Sequence, residues 1–524
     1  MTTYRRIFLF LFFICLFSTI SESQLLRPSS YALRTKTSST SFSAPLSNSV
    51  TDIAVSGDSI WLGTGKGLSL STDRGATWKN FYATPEFAEE DVSALAVHGK
   101  EIWVATGHTT MTKDQGAQQE GSGLRYSSDG GATWKVIPQP VDTFDVDTLS
   151  YSTNPKSFIR ALGVTTTIDN ITFDIAVTDS AVWIVSFAGM ARKSTDKGKT
   201  WSLVVLPPDD LNSISPEDSL RFDMAPTSGS LGLTGNFNHR VFSVIAENDS
   251  TLWVGTAGGI NLTTDDGRSW RRFTHQNEAK PISGNFVVAL RHQQYAGKNI
   301  LWAATINAND PLERRGVSFS EDYGATWKTT LLDEFPHNFG SRDSIIYTVT
   351  DNGIFRSSDE GATWLHAGTI FETSTRVQIA RPEFYSAAAM GDTILFGGDD
   401  GIAVTYDSGN QFGETWNVLH AFQQVGSSSE SYAYPNPFSP NNEIARIHYS
   451  TGGKDLPVTI RIFDFGMNLV RTVISNSARS GSIEHDEIWD GTDDMHRIVA
   501  NGPYFYQVVI GSNKPVWGKI LVIK

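Results

Sequence analysis

The strongest constraint on the fold of this chain is a short motif that recurs along most of its length. Six copies follow the pattern Ser/Thr-x-Asp-x-Gly-x-Thr/Ser-Trp, and a seventh copy has extra residues before its Trp. From the first motif aspartate to the last, the six intervals average about 56 residues, a period that indicates a repeat architecture. The motif aspartates are Asp73, Asp129, Asp196, Asp265, Asp322, Asp359 and Asp407. The motif tryptophans are Trp78, Trp134, Trp201, Trp270, Trp327, Trp364 and Trp416.

Each copy of the motif follows a short aromatic stretch and, before that, an alternating apolar stretch. In the first unit these are Ile-Trp-Leu at 60–62 and Ile-Ala-Val at 53–55, and later units repeat the pairing. Short runs with period-two alternation, separated by turn residues, are typical of β-strands. Four such strands per unit, repeated seven times, predict an all-β fold in which a seven-bladed β-propeller occupies residues 50–422.

The chemistry of the motif explains its repetition. An aspartate oxygen accepts hydrogen bonds from backbone N–H groups just ahead of it and thereby holds a tight turn. The glycine two residues later adopts a positive φ that a β-branched residue avoids. The tryptophan then buries a large apolar surface. Seven copies of one aspartate exceed what an active site needs, so we interpret the motif as structural.

The motif and its strand context resemble those of the Asp-box, or bacterial neuraminidase repeat, propellers, and the resemblance covers residues from about 50 to about 422. That family includes sialidases, xyloglucan-cleaving glycosidases, sortilin-type receptors and photosystem assembly factors. The resemblance implies the propeller fold and leaves three functional classes open, namely a binding protein, a glycoside hydrolase and an assembly factor.

Two aspartates are the catalytic candidates. Hydrolysis of a xyloglucan-like polysaccharide needs two carboxyl groups across the scissile bond. Asp52 and Asp174 begin the first strand of units one and three, where Ala94 occupies the register in unit two. The competing and favoured interpretation is that both carboxylates form hydrogen bonds within the inner strands. The sequence lacks the Arg-Ile-Pro motif of sialidases and the common metal, phosphate and nucleophile-elbow motifs, so we expect no cofactor and no metal.

The N-terminal residues 1–23 predict a secretory signal peptide. Arg5 and Arg6 precede an apolar run over 7–17, which is too short to span a bilayer. The single cysteine, Cys15, lies within this segment, so the mature chain would contain no cysteine. Residues 24–49 are expected to form a lead-in to the propeller.

The composition changes after the propeller. Residues 423–433 are rich in Ser and predict a linker, and the short alternating strands of 434–524 predict a small Ig-like β-sandwich. Pro-Asn-Pro-Phe at 435–438, Trp-Asp-Gly at 489–491 and the strand at 502–506 resemble the Ig-like domain of flagellar hook-capping proteins and the C-terminal sorting domains of type IX secretion substrates. The resemblance implies an outer-membrane secretion machinery as partner and a destination outside, or on the surface of, a Gram-negative-type bacterium.

The net charge limits the classes of partner that the protein can bind. The formal net charge of −14 argues against a nucleic-acid partner or an anionic membrane, because both require basic patches. No apolar stretch is long enough to predict a transmembrane protein. We therefore expect a secreted or surface-displayed non-enzymatic propeller that binds an extracellular protein or polysaccharide. The alternatives are a secreted glycoside hydrolase, sialidase- or xyloglucanase-like, and an envelope assembly factor.

Overall fold

The computed structural model describes residues 44–524, except for short gaps within that range. The gaps are 114–115, 144–145, 229–232, 374–376, 410–411, 422–424, 426, 442–443 and 482–483. The predicted signal peptide, most of the predicted lead-in and part of the predicted linker lie outside the described residues. Within the described ranges the chain is built of β-strands, with a single-turn 3-10 helix at Phe237–His239 and no α-helix. The described part of the chain accordingly has no helix of the length and hydrophobicity needed to cross a membrane.

The chain divides into two compact units. Among the described residues, one unit contains those of 44–368 and 381–414, and the other contains those of 369–380 and 415–524. We call them the repeat unit and the C-terminal unit.

Within the described residues, the repeat unit contains seven antiparallel sheets, each a meander of successive strands, numbered here in chain order. Sheet 1 consists of Val50–Ser56, Ser59–Thr64, Gly67–Ser71 and Lys79–Phe81, and sheet 2 consists of Asp91–His98, Glu101–Thr112, Gly116–Ser127 and Lys135–Ile137. Sheet 3 consists of Asp174–Val177, Val182–Ser186, Met190–Ser194 and Ser202–Leu203. Sheet 4 consists of Val241–Ala246, Leu252–Thr256, Gly259–Thr263 and Trp270–Phe273, and Ser213–Ile214 adds an edge strand to it. Sheets 5 to 7 are Phe286–Tyr295, Lys298–Ile306, Gly316–Ser320 and Lys328–Thr330; Pro336–Arg342, Ile345–Thr350, Gly353–Ser357 and Leu365–His366; and Phe384–Met390, Thr393–Gly398 and Gly401–Tyr406.

The first strand of each sheet, which we call its inner strand, determines how the sheets are arranged. Each inner strand contacts the inner strand of the next sheet along the chain, and Phe384–Met390 of sheet 7 contacts Val50–Ser56 of sheet 1. Sheets of radiating strands that meet through their first strands form a β-propeller. The predicted all-β propeller is therefore confirmed.

The recurrent motif forms the turn that leads into the outer strand of a sheet. In sheet 1, the Thr77 N–H donates to Asp73 Oδ1 (2.8 Å) and the Thr77 hydroxyl donates to Asp73 Oδ2 (2.6 Å). The Ser71 hydroxyl accepts the Gly75 N–H at 2.7 Å. These donors, with the Thr77 hydroxyl foremost, lower the pKa of Asp73 to about 2. The paired bonds from the residue four positions ahead recur at Asp129, Asp196, Asp265, Asp322 and Asp359.

The motif glycine is the point at which one sheet meets the next. In sheets 2 to 6 it has a positive φ, and its missing side chain leaves room for an aromatic ring of the preceding sheet. A Cβ on Gly267 would lie 2.8 Å from Trp183 Cη2, and a Cβ on Gly361 would lie 3.1 Å from Trp302 Cη2. The aromatic strand of one unit and the motif of the next therefore form a single packing interface.

The seventh motif forms different contacts. Asp407 is fully buried, and its carboxylate accepts hydrogen bonds from Arg356 Nε (2.6 Å) and the Tyr347 hydroxyl (2.6 Å) of sheet 6. Its own turn contributes the Gly409 N–H, which donates to Oδ1 at 2.8 Å. Burial by itself raises the pKa of Asp407, but these donors, with Arg356 first among them, outweigh burial and lower it. Asp407 thus joins sheets 6 and 7 through a buried ion pair.

Two long connections combine into a structure of their own. The strands Val146–Thr148, Phe158–Leu162 and Arg221–Met224 form a three-stranded sheet in which the last two run parallel. Arg160 and Asp223 pair across the parallel strands, with Nε and Oδ1 2.7 Å apart. This sheet therefore joins described parts of the connections before and after sheet 3.

The C-terminal unit contains two sheets around one apolar core. Ser431–Tyr434, Ala445–Ser450 and Glu484–Trp489 form one sheet. Leu469–Arg479, Leu456–Phe463, Gly502–Ile510 and Val516–Val522 form the other, in that spatial order, and Trp416–Leu419 also belongs to this unit. The core includes Ile447, Trp489, Ile460 and Tyr506.

The Pro-Asn-Pro-Phe segment of the C-terminal unit is bound to the last strand. The Leu521 N–H donates to Asn436 Oδ1 at 2.9 Å, and Asn436 Nδ2 donates to the Lys519 carbonyl at 2.7 Å. The Phe438 N–H donates to the Leu521 carbonyl at 3.0 Å. Because neither flanking proline has an N–H to donate, the asparagine side chain supplies the pairing that a backbone amide would provide elsewhere.

Candidate ligand-binding face

The inner strands begin at one end of the propeller, and six of them carry an irregularity near that start. The pairing register skips one residue at Thr51, Ser93, Phe242, Val288, His337 and Tyr385. In sheet 3 the residue at this position, Phe173, directly precedes the strand. Bulges at strand ends re-aim side chains, and they recur beside binding sites. We call this end of the repeat unit the entry face.

Aromatic rings occupy the entry face on sheets 3 to 5. Phe242 lies at centroid distances of 5.3 Å from Phe173, 6.5 Å from Phe187 and 4.5 Å from Phe286. All four rings are half-buried, so each retains some accessible surface. The Arg240 guanidinium lies 5.6 Å from the Phe187 ring centroid, and its Nε donates to the Pro226 carbonyl at 2.7 Å. We call Phe173, Phe187, Phe242 and Phe286 the aromatic ridge.

The inserted segments lie at the same end. In a four-stranded antiparallel meander, the second and fourth strands both end at the side where the inner strand begins. The loop after the second strand and the connection from one sheet to the next therefore lie at that side. The hairpin of Glu101–Thr112 and Gly116–Ser127 and the connections over 138–173 and 204–240 therefore all emerge at the entry face. The motif turns lie at the opposite end. This separation places the long loops together and leaves the motif turns outside the candidate site.

Asp52 and Asp174, the catalytic candidates, also lie at the entry ends of their inner strands. Asp52 Oδ1 accepts the Ile53 N–H (2.9 Å) and Asp52 Oδ2 accepts the Leu95 N–H of sheet 2 (3.0 Å). Asp174 repeats this arrangement with the N–H groups of Ile175 (2.8 Å) and of Val244 in sheet 4 (2.8 Å). Each carboxylate therefore links two neighbouring inner strands.

The pKa values of both carboxyl groups are raised. Burial raises the pKa of Asp52 to about 6, against the opposing effect of its two N–H donors. Burial likewise raises the pKa of Asp174 to about 7, and the charge of Asp52 contributes to that increase. A raised pKa favours the protonated carboxyl group, which is the state that a general acid requires. The hydrogen bonds favour a structural role and the raised pKa values favour a catalytic one.

Sequence reasoning missed the aromatic ridge. The available signal was the aromatic residue one position before the Asp52 register, at Phe173 and Phe242. In an alternating strand such a residue is expected to point to the same face of the sheet as the residues two positions away. In sheet 4 a bulge at Phe242 breaks that alternation, and Phe173 lies just before the inner strand of sheet 3 begins.

A cavity of about 490 Å³ lies beside sheet 3, away from the inner strands. Its lining includes Tyr151, Trp183, Lys193 and Asp266, and Lys193 Nζ is 2.5 Å from Asp266 Oδ2. Asp142, which also lines it, pairs with Arg192 (Nη2 to Oδ2, 2.6 Å), so its charged groups already have partners and it offers less to a ligand than the entry face. The described residues contain no group of three or more His, Cys, Asp or Glu side chains that could hold a metal ion.

Several solved structures are similar to this chain. YCF48 bound to a D1 peptide shows 12% identity and a TM-score of 0.41 over 71% of this chain and 96% of that chain. The GH74 xyloglucanase of Xanthomonas campestris shows 14% identity and a TM-score of 0.46 over 79% of this chain and 59% of that chain. An ancestral GH74 enzyme shows 12% identity and a TM-score of 0.48 over 91% of this chain and 62% of that chain.

No protein-family model matches the chain, and no curated protein matches its sequence. The sheet order and the inner-strand contacts, rather than the similarities to solved structures, establish the propeller.

Proposed function

We propose that this protein is a secreted or surface-displayed, non-enzymatic, seven-bladed β-propeller that binds a protein or glycan ligand through its entry face. The observation that carries the proposal is the aromatic ridge, whose half-buried rings lie at the same end as the inserted segments. Half-exposed aromatic clusters on a rigid frame supply large contact area at low entropic cost, and they are enriched at binding hot spots.

The export part of the proposal rests on the two ends of the chain. The basic start and apolar run of residues 1–23 support a signal peptide, and the C-terminal segment 434–524 supports an Ig-like sorting domain recognised by an outer-membrane secretion machinery. The bonding of Asn436 to the last strand gives the Pro-Asn-Pro-Phe motif a role in that domain's fold. Secretion assays on truncations after residue 433 test this part separately.

The binding proposal predicts a loss of affinity when the ridge is truncated. The mature chain should bind at least one member of a glycan array or of a panel of envelope proteins, and Phe242→Ala should weaken that binding by tenfold or more, as an aromatic hot spot does. Leu365→Ala, which removes an exposed apolar side chain from the outer strand of sheet 6, should leave it unchanged. Equal losses in both variants, at unchanged thermal stability, would contradict the assignment of the face.

A second candidate function is glycoside hydrolysis with Asp174 as general acid, favoured by the raised pKa of Asp174 and its coupling to Asp52. We expect the wild-type chain to release no reducing ends from the polysaccharides that it binds, because both carboxylates are engaged by backbone N–H groups. Reducing-end assays on the same polysaccharides check this. Hydrolysis that Asp174→Asn abolishes and Asp73→Asn retains would establish the enzyme instead.

A further inference from the structure

A second aromatic group on the entry face, on sheets 6 and 7, lies among carboxyl groups. The His337 ring is 5.1 Å from the Phe335 centroid and 5.1 Å from the Tyr385 centroid, the latter edge-on at 70°. The Tyr385 hydroxyl donates to Asp399 Oδ2 at 3.1 Å, and His337 Nε2 lies 2.6 Å from Asp351 Oδ1. These rings are half-buried, as are those of the ridge.

The carboxyl groups here outnumber the cations. Burial raises the pKa of Tyr385, and the charges of Asp399, Glu383 and Asp351 raise it further, so all three carboxylates act on one phenol. Burial raises the pKa of Asp399, and the positive charge of Arg381 opposes that increase. Three like charges that act on one partly buried phenol repel one another, and a cation placed among them would relieve that repulsion.

One carboxylate oxygen in this group is left without a donor. Glu383 Oε2 is buried and accepts no hydrogen bond within the described residues. Buried polar atoms are nearly always satisfied, and an unsatisfied one signals a missing partner. An anionic acceptor beside aromatic rings is the environment that recognises ammonium and guanidinium groups, through charge and cation–π attraction.

We propose that Phe335, His337, Asp351, Glu383, Tyr385 and Asp399, the cation subsite, bind a lysine or arginine side chain of a protein partner. This inference rests on the proposed binding function of the entry face. The aromatic ridge favours a peptide over an amino sugar, because its rings tilt against one another at 32° and 55° and bury part of their faces. Tilted ring edges accept apolar side chains, whereas a pyranose stacks on an open, flat ring face.

The test uses the mature chain and a fluorescein-labelled peptide, acetyl-Gly-Phe-Gly-Lys-Gly-Phe-Gly-amide, with fluorescence anisotropy as readout. Replacing the lysine by norleucine should weaken binding at least about tenfold, and raising the salt from about 50 mM to about 500 mM should weaken it as well. Glu383→Gln should weaken it about fivefold or more. The matched control is Asp58→Asn, which makes the same change in charge at an exposed turn of the opposite end.

Equal affinity for the lysine and norleucine peptides would overturn the inference, as would equal affinity of the two variants for the lysine peptide. A fully deacetylated chitosan hexamer that binds through Glu383 while the peptide does not would overturn the peptide assignment in favour of an amino sugar. The same two variants distinguish a failure of the cation subsite from a failure of the proposed binding function. If Phe242→Ala abolishes binding of a ligand and Glu383→Gln does not, the cation subsite is contradicted and the proposed binding function of the entry face is supported.

Discussion

Replacing Asp407 by alanine should lower the free energy of unfolding of the repeat unit by about 3–5 kcal/mol, because it leaves the buried guanidinium of Arg356 without its partner. The Arg356 and Asp407 side chains are 9% and 0% exposed, so water does not replace the lost bonds. The Tyr347 hydroxyl loses its acceptor in the same step. Urea unfolding followed by tryptophan fluorescence measures the difference.

The pH dependence of that difference provides a further check. The pKa of Asp407 is lowered in the folded state, so its contribution is complete above the unfolded pKa of about 3.9 and is lost as the pH falls through the folded value. Wild type and variant should therefore converge in stability in strongly acidic solution. Asp73→Ala, in an exposed regular motif, should have a much smaller effect at neutral pH. A similar loss in both variants would show that the seventh motif contributes no more than the other six.

Replacing Gly131 by alanine should destabilise the repeat unit by about 2–5 kcal/mol, from backbone strain and overpacking together. Its φ is +81°, and a Cβ would lie 2.4 Å from Trp61 Cη2, inside van der Waals contact. Trp61 is itself held edge-on against Trp134, with ring centroids 6.3 Å apart at 85°. Trp61 is 3% exposed and belongs to a core cluster against which Trp134 packs, so the Trp61 ring has little room in which to move.

The neighbouring glycine is the matched control. Gly130 also has a positive φ, +72°, but a Cβ there meets no atom within 4 Å. Other motifs carry residues such as Arg74 and Lys197 at this position with φ near 60°. Gly130→Ala should therefore cost about 1 kcal/mol, the strain alone. Thermal and urea denaturation of the two variants should differ by the packing component, and equal stabilities would refute the interface between successive sheets.

Much of the propeller was predictable because its information is local and repeated. A Ser71 hydroxyl, an Asp73 carboxylate and a Thr77 hydroxyl close a turn with partners no more than four residues away. Such bonds depend on short segments and on no distant contact, so a motif in the sequence corresponds directly to a turn in the structure. The pairing of each aromatic strand with the next motif follows the same regularity, since it repeats with the unit.

The candidate site was predictable only in part. The sequence placed Asp52 and Asp174 at the starts of inner strands, where the structure has them. Their partners Leu95 and Val244 lie 43 and 70 residues away along the chain, and a local sequence pattern does not predict contacts at that separation. Tyr385 and His337 come together by the same means, from different sheets.

The sequence by itself determined the strand-turn-strand units and the aspartate, glycine and tryptophan that shape them, because those interactions act over a few residues. Tertiary structure decided which side chains meet at the entry face, because bulges re-aim single residues and ring closure brings distant strands together. It also decided the role of Asp407, whose sequence resembles a turn motif but whose partners come from another sheet. Local hydrogen bonds are encoded locally, whereas a binding surface is a property of the assembled frame.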